Sequence, residues 1–169
     1  TWAAWRADAQ RCDRLVFISI EKHPLTALAL REVHGLNNTA PASLADPVLA
    51  QKLVTAWPSL TPGIHALHFD EPMTADGALQ GVTLMLCLGD VVNMVPALLA
   101  EVDAFYLDGL APDQSPAMWD PSWLTRLNRL AAPQATLATW SLAHEVRDSL
   151  THAGFVVEQV AESDGQPSF

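Results

Sequence analysis

The stretch "FYLDGLAPDQSPAMWDP" (residues 105–121) combines the end of a strand, a loop and the beginning of a helix. Its apolar run stops at Asp108-Gly109, and two prolines punctuate the loop that follows. Asp120 is placed to cap a helix whose first position is Pro121, because the fixed φ of proline suits the first helical turn. A strand that leads through a short loop into a helix is the repeating unit of an α/β protein.

Similar apolar runs recur along the chain and predict further strands. They are rich in β-branched or aromatic residues and nearly continuous, which is typical of strands covered on both faces, as in a parallel sheet. The segment "GIHALHF" (63–69) predicts a short strand antiparallel to one of them, residues 82–88. The complete set of runs comprises residues 15–20, 82–88, 103–107, 135–140 and 155–160.

Apolar residues at helical spacing predict helices between these strands. Asp46 is expected to cap one helix, and Ser141 to open another that Gly154 ends. Pro96 either kinks the helix that contains it or marks a short break. The predicted helices cover residues 24–34, 46–57, 91–101, 120–131 and 141–153.

Composition limits the classes of protein to which the chain can belong. Its 169 residues, 50% apolar, predict one domain over residues 1–169, and no apolar run is long enough for a membrane span. No secretory signal opens the chain, so we expect the cytoplasm. The net charge of −10 disfavours non-specific nucleic-acid binding and favours a small-molecule substrate.

The cysteines and histidines predict no redox or metal chemistry. Cys12 and Cys87 are far apart and without a CxxC partner, so we expect two reduced thiols. His65 and His68 have no further ligand at a spacing that would complete a zinc site. We therefore expect no metal.

Three predicted strands run directly into a carboxylate, namely Glu21, Asp90 and Asp108. In an open parallel sheet the ligand lies beyond the carboxyl ends of the strands, so these side chains are expected at one edge. A carboxylate there accepts hydrogen bonds from ribose hydroxyls or from the amine of adenine. The alternative is that each acid is a turn residue or helix cap, and Asp90 is a good cap candidate.

The glycines argue against a cradled pyrophosphate. No two of them form a GxG pair, and there is no Walker loop, which disfavours NAD, FAD and ATP. A ligand with a ribose and a base but no pyrophosphate remains, and S-adenosylmethionine fits this description.

Several of these segments together resemble the MnmC-like methyltransferase family. The resemblance implies a Rossmann-like class I S-adenosylmethionine methyltransferase fold, α/β, with a mostly parallel sheet and helices on both faces. It implies methyl transfer to the aminomethyl nitrogen of 5-aminomethyl-2-thiouridine at the tRNA wobble position, often coupled to a fused FAD-dependent oxidoreductase domain. The segments are "FISIEKHPLT" (17–26), "LTPGIHALHF" (60–69), "LGD" (88–90), "FYLDGLAPDQSPAMWDP" (105–121) and "ATLATW" (135–140).

The resemblance also implies roles for the acids and their neighbours. Glu21 would bind the ribose hydroxyls of the cofactor, with Lys22 beside it. Asp90, after Gly89, would face the adenine. Asp108 would contact the cofactor. As the acidic residue of the catalytic loop, it would also orient the attacking amine or accept its proton, because an ammonium cannot attack.

The loop after Asp108 would form the entrance for the substrate base. Trp119 would either stack on a flipped base or anchor the next helix as a core residue. The residues that the resemblance places at this entrance are Gly109, Pro112, Pro116, Met118 and Trp119.

Some features that the resemblance implies are missing from the 169 residues. The family's glycine-rich loop, with the central strand that carries it, would precede Thr1, and the basic segment expected after residue 160 is replaced by "AESDGQPSF". Leu110 and Gln114-Ser115 also depart from the family's usual residues. We therefore expect a fragment that lacks the family's C-terminal FAD-dependent domain and binds S-adenosylmethionine weakly or not at all. An inactive fragment and a methyltransferase with a small-molecule substrate are the alternatives.

Overall fold

The computed structural model of the chain describes residues 1–37, 46–73, 77–109, 111–112, 114–141 and 143–158. The chain divides into two compact units, Thr1–Val91 and Val92–Phe169. Both units combine helices with strands and each contains a parallel strand pair, so the predicted α/β class is confirmed. The prediction of one domain over residues 1–169 stays a prediction.

The first unit is built on a three-stranded sheet. Its elements are α1 (Trp2–Ala7), β1 (Arg14–Glu21), α2 (Ala27–Val33), α3 (Pro47–Ala56), β2 (Gly63–Glu71) and β3 (Gln80–Leu88). The strand order is β1-β3-β2, with β3 parallel to β1 and antiparallel to β2. The predicted strands at 15–20 and 82–88, and the antiparallel partner at 63–69, are therefore confirmed.

Burial explains why these segments form strands and helices. The middle strand β3 is apolar along nearly its whole length, and Leu86 and Cys87 are 1% and 0% exposed. The predicted cap at Asp46 is also confirmed, because its Oδ1 accepts hydrogen bonds from the amides of Val48 (2.8 Å) and Leu49 (3.3 Å). The helix α3 that follows buries Leu49, Ala50 and Val54.

The second unit contains a two-stranded parallel sheet. Its elements are α4 (Val91–Ala97, which begins at the last residue of the first unit), β4 (Val102–Leu107), α5 (Pro121–Leu124), β5 (Ala131–Thr139) and α6 (His144–His152). The two strands pair in register at their carboxyl ends, Leu107 opposite Thr139. Two 3-10 turns, Pro116–Trp119 and Leu127–Arg129, lie on either side of α5.

Three helix predictions need correction. The helix predicted over 91–101 ends at Ala97, one residue after Pro96. Proline has no backbone N–H to donate and its ring clashes with the carbonyl four residues earlier, which disfavours a longer helix around it. The predicted helix over 120–131 is broken after Leu124, because a 3-10 turn and the early start of β5 follow. Ser141 does not open the last helix, which begins at His144.

The strand predicted over 155–160 is wrong for its described part. Residues 155–158 have no regular secondary structure, and residues 159–160, like 161–169 and Leu110, lie outside the described residues. Gly154 has a φ of +94°, and the amide of Phe155 donates to the Leu150 carbonyl at 3.1 Å. These contacts end α6, as predicted for Gly154, and Phe155 then packs edge-on against Phe105 instead of joining a ladder.

Two further findings concern the sequence predictions. Both cysteines are free thiols, Cys12 exposed and Cys87 buried. Among the described residues, no helix is both long and apolar enough to cross a membrane.

Candidate active site

The parallel strands β1 and β3 bring four of the predicted site residues together in the first unit, namely Glu21, Lys22, Gly89 and Asp90. The strands end in register, with Glu21 opposite Leu88, and the Gly89 amide donates to the Glu21 carbonyl at 3.0 Å. Asp90 follows directly. The meeting of Glu21 and Asp90 at one edge agrees with the polarity of these strands, whereas the predicted meeting of Asp108 with them stays a prediction.

Polar contacts orient the charged side chains at this edge. The Ser19 hydroxyl, two residues before Glu21 on the same strand, donates to Glu21 Oε1 at 2.9 Å. Lys22 Nζ lies 2.8 Å from Asp90 Oδ2, in an ion pair whose side chains are 58% and 26% exposed. Because Glu21 is exposed and an ionised carboxylate accepts at both oxygens, it keeps acceptor capacity for a ligand hydroxyl.

In the second unit, Asp108 follows the carboxyl end of β4. Its side chain is exposed and forms no hydrogen bond or ion pair with another described residue. An exposed carboxylate at the end of a parallel strand is placed to accept a proton or to orient an amine. The geometry is compatible with the predicted catalytic role, which stays a prediction.

The loop after Asp108 packs back on its own beginning. A Cβ atom added to Gly109 would overlap the side chain of Met118, so glycine lets the two approach closely. Met118 remains 37% exposed, Pro116 is exposed and Pro112 is half-buried. The assignment of these residues to a substrate entrance stays a prediction.

Trp119 is largely buried. Only 6% of its surface is exposed, and the 3-10 turn that contains it leads directly to the capped helix α5. The same turn is fixed by the indole of Trp123, which donates to the Ala117 carbonyl at 3.2 Å. This burial favours the interpretation of Trp119 as a core anchor over the interpretation of a stacking residue.

Trp140 is a candidate site residue that the sequence analysis did not single out. It follows β5, its Nε1 donates to the Gly109 carbonyl at 3.1 Å, and 53% of its surface is exposed. Its ring meets that of Trp119 edge to face, with centroids 6.3 Å apart. The signal available in the sequence was its place at the end of an apolar run, the same place that singled out the three acids.

Two further features of the described residues concern the kind of ligand that the sheet edge at Glu21 and Asp90 would bind. Among the described residues, no group of three or more His, Cys, Asp or Glu side chains is arranged to hold a metal ion. An open, mainly apolar groove along α3, lined in part by Val48, Lys52 and Phe69, contains none of the predicted site residues. The polar sheet edge at Glu21 and Asp90 is better suited to a nucleoside, whose ribose hydroxyls and base amine are donors.

Comparison with known families gives a match over most of the chain. Residues 47–166 match a family described as S-adenosyl-L-methionine-dependent methyltransferase. The matched range includes Asp90, Asp108 and Trp140, whereas Glu21 lies before it.

Curated relatives match nearly the whole chain. A protein of Methylibium petroleiphilum is 50% identical over 98% of this chain, one of Cupriavidus necator is 46% identical over 98%, and one of Paraburkholderia phymatum is 42% identical over 95%. All three are named tRNA 5-methylaminomethyl-2-thiouridine biosynthesis bifunctional protein MnmC. The chain spans 23% of the length of each of these relatives.

Proposed function

The chain belongs to the S-adenosyl-L-methionine-dependent methyltransferase family, and we propose that it methylates the aminomethyl nitrogen of 5-aminomethyl-2-thiouridine at the wobble position of tRNA. The observation that carries the proposal is the meeting of Glu21 and Asp90 at the ends of two paired parallel strands, next to Gly89. The names of the curated relatives support tRNA as the substrate. The chain spans 23% of the length of these relatives, and the names describe the whole proteins.

The residues present fit the nucleoside part of S-adenosylmethionine. Glu21 would accept hydrogen bonds from the two ribose hydroxyls, with Ser19 holding one carboxylate oxygen in place at 2.9 Å. Asp90 would accept from the adenine amine, and Lys22, whose Nζ lies 2.8 Å from Oδ2, would hold its carboxylate in place. The lack of a side chain at Gly89 would let the base approach the backbone.

The reaction requires a neutral amine next to an electrophilic carbon. When bound, the cofactor supplies a methyl group on a positively charged sulfur. Asp108 would accept the proton that the aminomethyl nitrogen has to lose, and would direct the nitrogen lone pair toward that methyl group. Met118 and the loop prolines would exclude water from one side of the amine.

The partners of the reaction form part of the proposal. The word bifunctional in the relatives' names supports a coupled second activity, which we propose to be the FAD-dependent oxidoreductase that acts on CH–NH groups and prepares the amine. Because tRNA modification takes place where tRNA matures, the proposed compartment is the cytoplasm.

Methyl transfer with labelled cofactor tests the proposal. The protein in its full natural length is incubated with tRNA from a strain that lacks it, and wobble nucleosides are analysed by mass spectrometry. The expected result is the conversion of 5-aminomethyl-2-thiouridine to its methylamino form. Binding of S-adenosylmethionine without any methylation of tRNA would contradict the proposal.

A small-molecule amine is the second candidate substrate. The net charge of −10 favours it, because such a chain repels a polyanion at long range. The two candidates differ in salt dependence: tRNA binding weakens steeply as salt rises, whereas binding of a small amine with a single charge changes far less.

A further inference from the structure

Trp140 combines a fixed position with an open surface. Its indole N–H is bonded to the Gly109 carbonyl at 3.1 Å, and its ring contacts Trp119 at 6.3 Å with an angle of 86° between the ring planes. Trp119 itself is 6% exposed and belongs to the core. The two contacts hold the Trp140 ring in one orientation on a rigid support.

The exposed part of Trp140 is not used for packing among the described residues of its unit. Half of the residue, 53%, remains open although its polar edge is already bonded. Since most of the surface of a tryptophan is ring, the open part offers a flat apolar area. A single exposed aromatic residue is common on protein surfaces, so a functional role for Trp140 has to be argued from its position.

The position of Trp140 is next to the acid. Gly109, which accepts its hydrogen bond, directly follows Asp108, and consecutive Cα atoms lie about 3.8 Å apart. Two more exposed side chains lie close by along the chain, Tyr106 at 60% on β4 and Met118 at 37% against Gly109. An acid one residue along the chain from the carbonyl that binds a fixed aromatic ring suits a planar base whose amine reacts.

We propose that Trp140 is the stacking platform for the substrate base, a pyrimidine displaced from an RNA loop. The inference rests on the proposed function, because it assumes a base that carries the reacting amine. Stacking on the open ring would bring the substituent of the base to Asp108, while the Nε1–H bond to Gly109 keeps that loop in place. Trp119 would act as a positioning residue behind the platform.

The test compares variants that separate the ring from the hydrogen bond. Trp140→Phe keeps an aromatic ring and removes the N–H donor, and Trp140→Leu keeps apolar volume without a ring. Trp57, a half-buried tryptophan of the first unit whose Nε1 donates to the Leu25 carbonyl at 3.0 Å, provides the matched control pair Trp57→Phe and Trp57→Leu. Each variant is made in the protein in its full natural length.

The measurements are the KM for the tRNA, the kcat and the Kd for S-adenosylmethionine. We expect Trp140→Leu to raise the KM at least about fivefold, since a stacked base contributes roughly 1–3 kcal/mol. Trp140→Phe should restore the KM to within about threefold, with any loss confined to kcat, because the ring is kept and the loop is loosened. The Kd for the cofactor and both Trp57 controls should stay near the wild-type values.

Two results would overturn the inference. One is a KM for Trp140→Leu equal to that of the wild type, and the other is an equal KM for the Phe and Leu variants, since stacking requires the ring. Circular dichroism of each variant shows whether it is folded. If the wild type methylates tRNA and the variants do not differ, only this inference fails, whereas a wild type without tRNA methylation removes the proposed function as well.

Discussion

Glu21 is oriented by its own strand. Ser19 lies two residues earlier, so the alternation of a strand puts both side chains on one face, and its hydroxyl donates to Oε1 at 2.9 Å. The carboxylate therefore reaches the sheet edge in a defined direction. If it accepts the ribose hydroxyls, its charge rather than its shape should control cofactor affinity.

We predict that Glu21→Gln raises the Kd for S-adenosylmethionine roughly 30-fold. A hydrogen bond to a charged acceptor contributes about 1 kcal/mol more than one to a neutral amide, and two hydroxyls are involved. Isothermal titration of the protein in its full natural length measures the change, with Glu32→Gln on the exposed side of α2 as the control. Equal affinities for the two variants would exclude Glu21 from the site.

Individual site residues were predictable to different degrees. Glu21 and Asp90 follow apolar runs, so their position at a sheet edge follows from strand polarity alone. The ring of Trp119 contacts that of Trp140, which lies far along the sequence, so no local pattern reports its burial. Trp140 looked like the last residue of a strand, although β5 ends at Thr139.

At the scale of the elements, a buried acid attaches α1 to β2. Glu71 Oε1 accepts from Trp2 Nε1 at 3.2 Å and lies 3.8 Å from Lys52 Nζ, and its Oε2 lies 3.2 Å from Arg6 Nε. The Glu71 side chain is 4% exposed, whereas the two cationic side chains are about 40% exposed. Trp2 also stacks on Phe69 at 4.6 Å.

We predict that Glu71→Gln lowers the free energy of unfolding by about 1–2 kcal/mol. Loss of one partner of a fully buried pair costs about 3–5 kcal/mol, and the exposure of Arg6 and Lys52 reduces this value. Urea unfolding followed by circular dichroism measures it. The exposed Glu101→Gln should change stability by less than about 0.5 kcal/mol. A similar small change for Glu71→Gln would mean that the ion pairs contribute nothing.

The burial of the middle strand β3 can be measured by the reactivity of its thiol, Cys87. Burial raises the pKa of the Cys87 thiol, so at a given pH less of it is the reactive thiolate, and the side chain is 0% exposed. We predict that iodoacetamide at pH 8 labels the exposed Cys12 and leaves Cys87 unlabelled until denaturant is added. Peptide mass spectrometry identifies the site, with Cys12→Ser as the control. Labelling of both at one rate would contradict the buried position of β3.

Elements with strong local signals were predictable, and those that depend on neighbours were not. The capped helix α3 and the apolar strands β1 and β3 lie where the sequence indicates. β5 begins at Ala131, earlier than predicted, through an irregularity in which Gln134 adopts a φ of +66°. The predicted strand at 155–160 failed in its described part because Phe155 has a packing partner, Phe105, and no ladder partner.

At the scale of the whole molecule, both sheets have an open strand edge. Among the described residues, β1 pairs only with β3 and β4 pairs only with β5. An unpaired edge leaves a row of backbone donors and acceptors without partners, so a further strand would satisfy them.

We predict that residues 1–169 alone bind S-adenosylmethionine weakly, with a Kd above about 100 μM. The described residues contain no glycine-rich turn that would approach the methionine part of the cofactor, so only the nucleoside contacts at Glu21 and Asp90 would contribute. Isothermal titration of this chain, compared with the protein in its full natural length, measures the difference. Low-micromolar binding to residues 1–169 would show that these contacts suffice.

The most direct test of the account is the turnover of Asp108→Asn in the protein in its full natural length, with labelled cofactor and tRNA. If Asp108 accepts the proton of the amine, methyl transfer falls at least about tenfold while the Kd for S-adenosylmethionine stays near the wild-type value. Asp103→Asn, an exposed acid at the other end of β4, should leave turnover unchanged. Unchanged turnover in Asp108→Asn would contradict the central claim that this acid performs the chemistry.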